Sequence, residues 1–487
     1  MQLGWLSLLS FLLSGGGNDF LDYVPTKTYW EIQSIEPTPQ NLLGEITPNE
    51  RTDISPLIDE LSSADAAIRK RAAREIVATG TGALHDLRKA TESPDAEVAQ
   101  TARGLIVQIT REARPRSIRR LMAIRTLGEM KEKQAAAPLK VLLDSGEPFV
   151  AEYAQRSLAS INGKTFDHQR PTELIRDDLW LLPEQCAVVG QLVPTGNLAI
   201  PIDQAVAGWK LPGDETHQER TREITEMLLA TLEASGNIRV DSVTFGVSGD
   251  ISEDSGFAVA LFRGEFDIDS LTAVMRDGRF SANNVDGVDV FYAGPELAMF
   301  LSSNDQIVVL ASPTPESLPL KQLIAATREK KGGLKDNADL VKLIGNVDRN
   351  QLMWAVAKIT PELKALPMLG GLDTVIAGAK EQGHALHINI KASGTDPAAV
   401  QKSADDAKKT MMLARNGISS IASFMPPLKP LQECFNGAQI TQDGTEVSVS
   451  ATLEGPLTPL LVFSMMPFTT PLGGENRAAD DIAEFNN

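Results

Sequence analysis

Between Thr52 and Gly163 the apolar residues recur at helical spacing, and short polar breaks separate the runs. An aliphatic residue, an alanine and a second aliphatic residue follow one another at intervals of four, so they share one face of a helix. Full copies are Ile68-Ala72-Ile76, Val98-Ala102-Ile106 and Val150-Ala154-Leu158, and Ala123-Leu127 is a partial copy. The pattern predicts packed helices in which each small alanine lets a neighbouring helix approach closely.

An acidic residue precedes each full copy by three positions: Asp65, Asp95 and Glu147. A carboxylate there suits a helix N-terminus, where it meets free N–H groups and the positive end of the helix dipole. Apolar helices around residues 56–61 and 137–143 supply the second member of each helix pair. Units at steps of about thirty residues predict an α-solenoid, and a plain helical bundle with coincidental spacing is the alternative.

This part of the chain resembles HEAT-like repeats, particularly the short bacterial variety. The stretches that carry the resemblance are residues 65–80, 93–102 and 120–130, with Ala83, Leu84 and Leu87 between the first two. The resemblance covers residues 52–163 and implies a surface for protein–protein contact without catalytic residues. The step from Ala102 to Ala123 is too short for a complete helix pair, so one unit is predicted to be truncated or irregular.

From Thr172 onwards, helical runs alternate with runs whose apolar and polar residues alternate as in half-buried antiparallel strands. The predicted strands lie at residues 186–193, 240–247, 257–262, 288–292, 297–301, 307–311, 352–359, 374–379, 385–390, 438–441 and 447–453. The predicted helices lie at residues 219–235, 269–276, 315–330, 338–345 and 396–416. The predicted fold class is therefore multidomain, with a HEAT-like α-solenoid at residues 51–165 followed by an α+β region with antiparallel sheets.

The α+β region contains two similar halves. The matching pairs are Asp241–Val247 with Asp373–Ala379, and Glu184–Pro194 with Asn350–Pro361. Each half continues with a turn, a strand, a helix that opens after an aspartate, and a closing pair of strands. Two copies of one strand–hairpin–helix–hairpin unit, at residues 166–345 and 346–472, account for these matches. Chance similarity between two α+β stretches is the alternative.

The segments outside these regions are interpreted from their composition. Residues 1–17 are an apolar run that ends in glycines, which predicts a signal peptide and export to the periplasm or outside the cell. No Lys or Arg precedes the run, and an apolar segment packed on the fold of a cytoplasmic protein is the alternative. Proline-rich residues 18–50 predict a linker, and residues 473–487 predict a disordered acidic tail. The apolar stretch at residues 459–467 is interpreted as core or interface packing, not a membrane span.

The charge distribution restricts the class of partner. The formal net charge of −18 argues against a general nucleic-acid binder, because phosphate contacts need an excess of Lys and Arg. Residues 51–164 carry about four more basic than acidic side chains, so the rest of the chain is the more acidic part. We therefore expect an intramolecular contact between the basic repeat segment and the acidic α+β region.

Residues with catalytic or metal-binding chemistry form no recognisable motif, and no cofactor is predicted. His384 and His387 lie three apart on a predicted strand and so point to opposite faces, which disfavours a shared metal ion. An acidic turn with Asp250, Glu253 and Asp254 is interpreted as a polar hairpin tip, with a calcium site as the alternative. Cys186 and Cys434 are the only cysteines, and either two buried thiols or one disulfide bridge fits that number.

A basic cluster is the candidate interaction surface. It consists of Arg111, Arg114, Arg116, Arg119 and Arg120, where the repeat pattern is irregular. Such a cluster can bind an acidic partner, anionic lipid headgroups or this protein's own acidic half. The alternative is a solvated helix face whose charges are partly paired along the helix.

These observations predict a non-catalytic, exported interaction or scaffold protein that binds protein partners and has no transmembrane span. The first alternative is a ligand-binding module with a pocket between the two α+β copies. The second is a hydrolase whose catalytic residues converge from distant segments.

Overall fold

The structure is a computed structural model, and it describes most of the chain. The described residues are 19–46, 53–145, 149–166, 172–193, 202–205, 216–249, 256–266, 268–276, 280–294, 296–312, 318–382, 385–422 and 428–455. Among these residues, none of the helices combines the length and the hydropathy needed to cross a membrane.

The first third of the described chain is helical. After a 3-10 turn at Phe20–Tyr23 come α1 (Thr26–Ile32), α2 (Pro39–Glu45), α3 (Ser55–Glu60), α4 (Ala66–Thr79), α5 (Leu84–Ala90), α6 (Ala96–Glu129), α7 (Ala136–Leu142) and α8 (Val150–Ile161). This confirms the predicted run of helices, and their details explain several local features of the sequence.

Residues 19–46 are not the extended linker that their prolines predict. They form α1 and α2, and Trp30 and Leu42 are fully buried in the main hydrophobic core. Pro25 is the N-cap of α1 and Pro39 occupies the first turn of α2. Proline is well tolerated at these positions because the first N–H groups of a helix have no partner within the helix.

The repeated alanines occupy the predicted buried positions. Ala72, Ala102, Ala123 and Ala154 are all fully buried. Asp65 accepts a hydrogen bond from the N–H of Ala67 at 2.8 Å, and Asp95 caps α6 in the same way. Glu147 lies outside the described residues.

The short step between Ala102 and Ala123 is explained by α6, a single helix of 34 residues. Both alanines lie on it, so no break in the helix separates them. Pro115 lies inside α6, where it cannot donate the usual hydrogen bond to the carbonyl group four residues earlier. The irregular spacing noted in the sequence thus falls within one continuous helix.

The α+β region forms one antiparallel sheet of 12 strands. The strands are β1 (Cys186–Leu192), β2 (Ile238–Ser248), β3 (Ala258–Phe266), β4 (Ser281–Val285), β5 (Val288–Tyr292), β6 (Leu297–Ser303), β7 (Gln306–Ala311), β8 (Met353–Lys358), β9 (Thr374–Gln382), β10 (Ala385–Ser393), β11 (Gln439–Asp443) and β12 (Glu446–Glu454). Every predicted strand is present. The additional strand, β4, has the sequence Ser-Ala-Asn-Asn-Val, is largely exposed and forms one edge of the sheet, which explains why no apolar alternation marks it.

The sheet order is β11-β12-β10-β9-β8-β1-β2-β3-β7-β6-β5-β4. The first half of the sheet, β1 to β7, and the second half, β8 to β12, meet where β1 pairs antiparallel with β8 and Gly190 lies opposite Ala355. Counted outwards from this pair, the order β1-β2-β3-β7-β6 corresponds to β8-β9-β10-β12-β11.

Eight helices of the described chain accompany the sheet. They are α9 (Thr172–Asp178), α10 (Ile202–Ala205), α11 (His217–Ser235), α12 (Ile268–Arg276), α13 (Leu318–Glu329), α14 (Ala338–Ile344), α15 (Pro397–Ala422) and α16 (Lys429–Gly437). The five helices predicted from the sequence correspond to α11 to α15.

The two faces of the sheet carry separate cores. On the front face, Val243 and Phe262 pack with α11, α12 and the C-terminal part of α6. On the back face, Leu261 packs with α13, α14 and residues 179–182. In the second half of the sheet, α15 and α16 pack on the front face. The back face of that half carries exposed polar side chains such as Asn389 and Lys391.

Candidate interaction site

Helices α3, α4, α5 and the N-terminal part of α6 form a unit that we call the arm, residues 53–109. The arm has its own hydrophobic core, separate from both cores of the sheet. The core consists of Ile54, Leu61, Ala72, Ile76, Ala83, Leu87, Ala90, Val98, Ala102, Leu105, Ile106 and Ile109. The arm thus buries its apolar residues within itself and not against the sheet.

Ion pairs within the arm support its helices. Arg71 on α4 contacts Glu60 on α3 at 2.6 Å, and Arg69 contacts Glu97 on α6 at 3.4 Å. These pairs are largely exposed, so each contributes little to stability and mainly orients neighbouring helices.

A groove lies between α3 and α5 on the surface of the arm. Its volume is about 640 Å³, and its walls include Asp53, Asp59, Asp86 and Lys89. Ile58 and Ala90 add apolar surface. The groove is an open, mainly acidic concavity on the part of the molecule that has a core of its own.

Helix α6 connects the arm to the sheet and the helices packed on it, which we call the body. Up to Ile109 its buried residues belong to the core of the arm, and from Ile118 onwards they belong to the main core on the front of the sheet. The segment between these residues carries Pro115 and three arginines of the predicted basic cluster, Arg111, Arg114 and Arg116.

The structure divides the five arginines of the basic cluster. Arg111 and Arg116 are exposed, whereas Arg114 and Arg120 are buried and Arg119 is half-buried. All five lie on α6, so the predicted cluster is one stretch of a helix, but its members do not form one open surface.

Two of these arginines interact with the ends of other helices. Arg114 donates a hydrogen bond to the carbonyl oxygen of Glu233, in the last turn of α11, at 2.8 Å. Arg119 donates to Oε1 of Gln33 at 3.4 Å and lies 3.8 Å from the carboxylate of Glu45. Gln33 and Glu45 end α1 and α2, so cations here also interact favourably with the negative ends of helix dipoles. The contact with α11 joins the basic repeat segment to the α+β region.

A second group of charges lies where residues 19–24, which we call the strap, pass between α8 and the sheet. Arg125 on α6 donates to the carbonyl oxygens of Leu21 and Val24 at 2.7 and 2.9 Å. The N–H of Leu21 donates to Oδ1 of Asn237 at 3.2 Å. The strap is therefore held through its backbone by α6 on one side and by the start of β2 on the other.

Side-chain ion pairs extend these contacts. Arg156 on α8 donates to Asp19 at 3.1 Å and to Asp22 at 2.9 Å, and Tyr153 also donates to Asp22. The guanidinium group of Arg156 lies over the ring of Tyr153, 4.9 Å from its centre. Two carboxylates of the strap thus share one arginine of α8.

Arg239 on β2 completes what we call the charged junction. It contacts Glu152 on α8, Asp241 at 3.1 Å, Glu265 on β3 at 3.0 Å and Asp19 at 3.6 Å. The charged junction therefore connects the strap, α8, β2 and β3. It consists of Asp19, Asp22, Glu152, Arg156, Arg239, Asp241 and Glu265.

Burial changes the pKa values of residues in the charged junction. The side chain of Asp19 is fully buried, and burial together with the nearby charge of Asp22 raises its pKa well above the usual value. Burial opposes the charges of Arg156 and Arg239, but the surrounding carboxylates keep the pKa of both above the ordinary value. Because Asp19 and Arg239 are shielded from solvent, this arrangement suits a structural joint.

A comparable buried pair lies on the back face of the sheet. Arg263 on β3 contacts both carboxylate oxygens of Asp178, and it donates to Asp305 at 2.6 Å. Gln306 donates to Asp178 at 2.7 Å. Neither this pair nor the charged junction was predicted, although isolated charges in apolar strands, such as Arg239 in β2, were a usable signal.

The histidines and the acidic turn that the sequence offered as metal-binding candidates are considered next. Among the described residues, no group of three or more His, Cys, Asp or Glu side chains is arranged to hold a metal ion. His387 lies 3.1 Å from the hydroxyl group of Thr452. Asp250, Glu253, Asp254 and His384 lie outside the described residues.

The two cysteines are separate buried thiols. Cys186 belongs to the back core of the first half, and Cys434, on α16, packs against the front of the second half. The alternative of a bridge between them is thus not realised. Burial raises the pKa of Cys186 to about 12 and also raises that of Cys434.

Comparison with known proteins adds little to this description. No protein-family model matches the chain, and no curated protein is similar to it. Two solved structures, crystal forms III and I of TP0453, are each 8% identical and cover 59% of this chain. They match over 98% and 97% of their own length, with TM-scores of 0.32 and 0.30. Similarity at this level carries no argument about function.

Proposed function

We propose that the protein is a non-catalytic, exported interaction or scaffold protein that presents the arm, as a HEAT-like helical repeat, to a protein partner. The observation that carries this proposal is that the arm has a hydrophobic core of its own, so its outer surfaces are not needed to cover the sheet. Helical repeats of this kind offer an extended surface for binding.

The body serves as the base of the arm. Arg114 and the half-buried Arg119 on α6 contact the ends of α11, α1 and α2, and the charged junction fastens the strap and α8 to the sheet. Breaking a buried ion pair leaves an uncompensated charge, which costs about 3 to 5 kcal/mol. A base with several such pairs holds the arm in a defined position.

An internal duplication accounts for the body. The corresponding strand orders on the two sides of the β1–β8 pair support two copies of one ancestral unit, as do the sequence matches around Asp241 and Asp373. The pairing of β1 with β8 extends one copy into the other, so the duplicated body is a single wide support.

Capture of a partner from the native host tests the proposed function. The bait is the full chain, and the arm variant reverses three exposed charges: Lys70→Glu, Arg74→Glu and Lys89→Glu. The control variant reverses three exposed lysines of α15: Lys402→Glu, Lys408→Glu and Lys409→Glu. Both variants should unfold at the temperature of the wild type, because exposed substitutions change stability little.

We expect wild type and control to recover the same stoichiometric partner, and the arm variant to recover at least about tenfold less of it. Equal recovery by both variants, or no stoichiometric partner for any bait, would contradict the proposal.

Mass spectrometry of the N-terminus of the native protein tests export separately. Export predicts that the apolar residues 1–17 are removed, whereas an intact apolar segment on cytoplasmic protein contradicts it.

A further inference from the structure

The two halves of the sheet end differently at their outer edges. In the first half, β6 is extended by the hairpin of β5 and β4, and β5 pairs with β6 at residues 298–300. The strand that corresponds to β6 in the second half is β11, counted outwards from the β1–β8 pair. Among the described residues, β11 pairs with β12 alone, so its other edge carries no strand.

The backbone of β11 directs two of its residues towards this free edge. A loop of two residues joins β11 to β12, so the flanking residues Asp443 and Glu446 exchange backbone hydrogen bonds between the two strands. Hydrogen-bonded and non-hydrogen-bonded pairs alternate along an antiparallel ladder. The N–H and C=O groups of Ile440 and Gln442 therefore point away from β12, towards the free edge.

The strand β11 lacks the features that usually prevent an edge from pairing with another chain. Edge strands are commonly protected by lysine, by proline or by a β-bulge. β11 has the sequence Gln-Ile-Thr-Gln-Asp, and it pairs with β12 without a shift in register. Its one charged residue, Asp443, stands at the end of the strand, so neither charge nor shape opposes pairing at the centre.

We propose that β11 of a second copy of this chain pairs with the free edge, antiparallel and about a two-fold axis at Thr441. Full overlap of the two strands places Ile440 opposite Gln442 of the second copy, and these are the residues whose backbone groups point outwards. Each such pair exchanges both of its N–H···O bonds. Gln439 then lies opposite Asp443 of the second copy, so an amide meets a carboxylate and no like charges oppose each other.

The way in which the two halves of the sheet join supports a second copy as the occupant. β1 and β8 hold corresponding places in the strand order, and they pair antiparallel at the centre of the sheet. The chain thus already contains a contact in which a strand pairs with its own counterpart. Pairing of β11 with β11 repeats this contact at the outer edge, and its two-fold symmetry closes the assembly at two chains. The sheet then runs continuously through both copies.

Engineered single cysteines in the full chain test this inference. The test variant is Thr441→Cys, because Thr441 meets Thr441 of the second copy as a non-hydrogen-bonded pair, with Cα atoms about 4.5 Å apart. The first control is Gln439→Cys, on the same edge and face, whose Cα atoms lie about 13 Å apart in the dimer. The second control is Ser448→Cys, opposite Thr441 on β12, at a separation of about 14 Å. The native Cys186 and Cys434 stay in place because both are buried.

We expect Thr441→Cys to form a covalent dimer under mild oxidation at least about tenfold faster than either control, since a disulfide requires Cβ atoms within about 4.5 Å. Equal rates for the three variants would overturn the inference, as would a faster bridge at Gln439 or Ser448. A failure of all three variants to form a covalent dimer would overturn it as well.

Reversible association of the full chain gives an independent measurement. The contact involves one short strand from each copy, so the dimer is weak and sedimentation velocity must extend to high protein concentration. Thr441→Lys places two ammonium groups opposite each other at the axis, whereas Ser448→Lys adds the same charge away from it. We expect Thr441→Lys to raise the dissociation constant of the dimer at least about tenfold and Ser448→Lys to leave it near the wild-type value. A wild type that stays monomeric, or equal constants for the two variants, would overturn the inference.

Discussion

The two halves of the sheet share a strand order but differ in how helices cover them. The first half is packed between helices on both faces, and its strands β2 and β7 are buried along nearly their whole length. In the second half, helices pack on the front face, and on the back face α14 packs against β8 at Trp354 and Val356. Outer strands such as β11 alternate exposed and half-buried residues. One arrangement of strands therefore supports either a fully enclosed layer or an open surface, depending on which helices are added.

The largest effect that separates the two halves is expected for core truncations. Phe262→Ala in the first half removes a fully buried ring and should lower the free energy of unfolding by about 4 kcal/mol. Ile390→Ala, on the same face of the second half, removes a half-buried side chain and should cost less than half as much. Urea denaturation measures both variants, and equal losses would contradict the unequal cover.

A second contrast concerns charge. Arg239→Met removes the cation that faces Asp19, Asp241 and Glu152 in the charged junction, and should destabilise the fold by about 3 kcal/mol. Lys391→Met removes an exposed cation 3.5 Å from Glu446 in the second half and should change stability by less than about 0.5 kcal/mol. If thermal denaturation places both variants at the wild-type midpoint, the charged junction does not fasten the strap.

The boundary between the halves depends on a small residue. A Cβ atom added at Gly190 would lie 2.5 Å from the ring of Phe245 and 2.5 Å from the carbonyl oxygen of Trp354. Gly190→Ala should therefore destabilise the protein by about 2 kcal/mol. Gly417→Ala on α15 meets no neighbouring atom within 4 Å and should stabilise that helix by about 0.5 to 1 kcal/mol. Urea denaturation of both variants checks the two signs.

The smallest expected effect is pH-dependent and concerns Cys186. Burial raises its pKa to about 12, so this thiol favours the folded state fully below the unfolded pKa near 9. That contribution is lost as the pH rises from 9 towards 12. Replacing Cys186 with Ala should make the stability less steeply dependent on pH in this interval, and the same change at Cys434 should act in the same direction. Unfolding measured between pH 8 and pH 10.5 checks this, and a steeper dependence in the Cys186 variant would contradict it.

The strands and the repeated alanines were predictable because their signals are local. Alternation at period two marks β9, β10 and β12, and spacing by four marks Ala72 and Ala102. The polar strand β4 has no such signal, since it forms an edge and buries little. Composition also misrepresents residues 19–46, because proline content does not reveal that two of the prolines stand at helix starts.

The charged junction could not be derived from sequence spacing. It brings together Asp19, Glu152 and Arg239, which are far apart along the chain, and only the three-dimensional packing makes them neighbours. The burial of the arginines in the basic cluster could likewise not be derived from sequence spacing. Its arginines lie close together along α6, at residues 111–120, yet the burial of each depends on which side of the helix faces α1, α2 and α11.

The central claim is that the arm binds the partner while the body supports it. Hydrogen–deuterium exchange of the full chain, alone and in the captured complex, tests this claim most directly. The account predicts that binding slows exchange in α3, α4 and α5 and leaves β9 to β12 unchanged. Slowed exchange on the polar back face of β10 and β12, with no change in the arm, would contradict it.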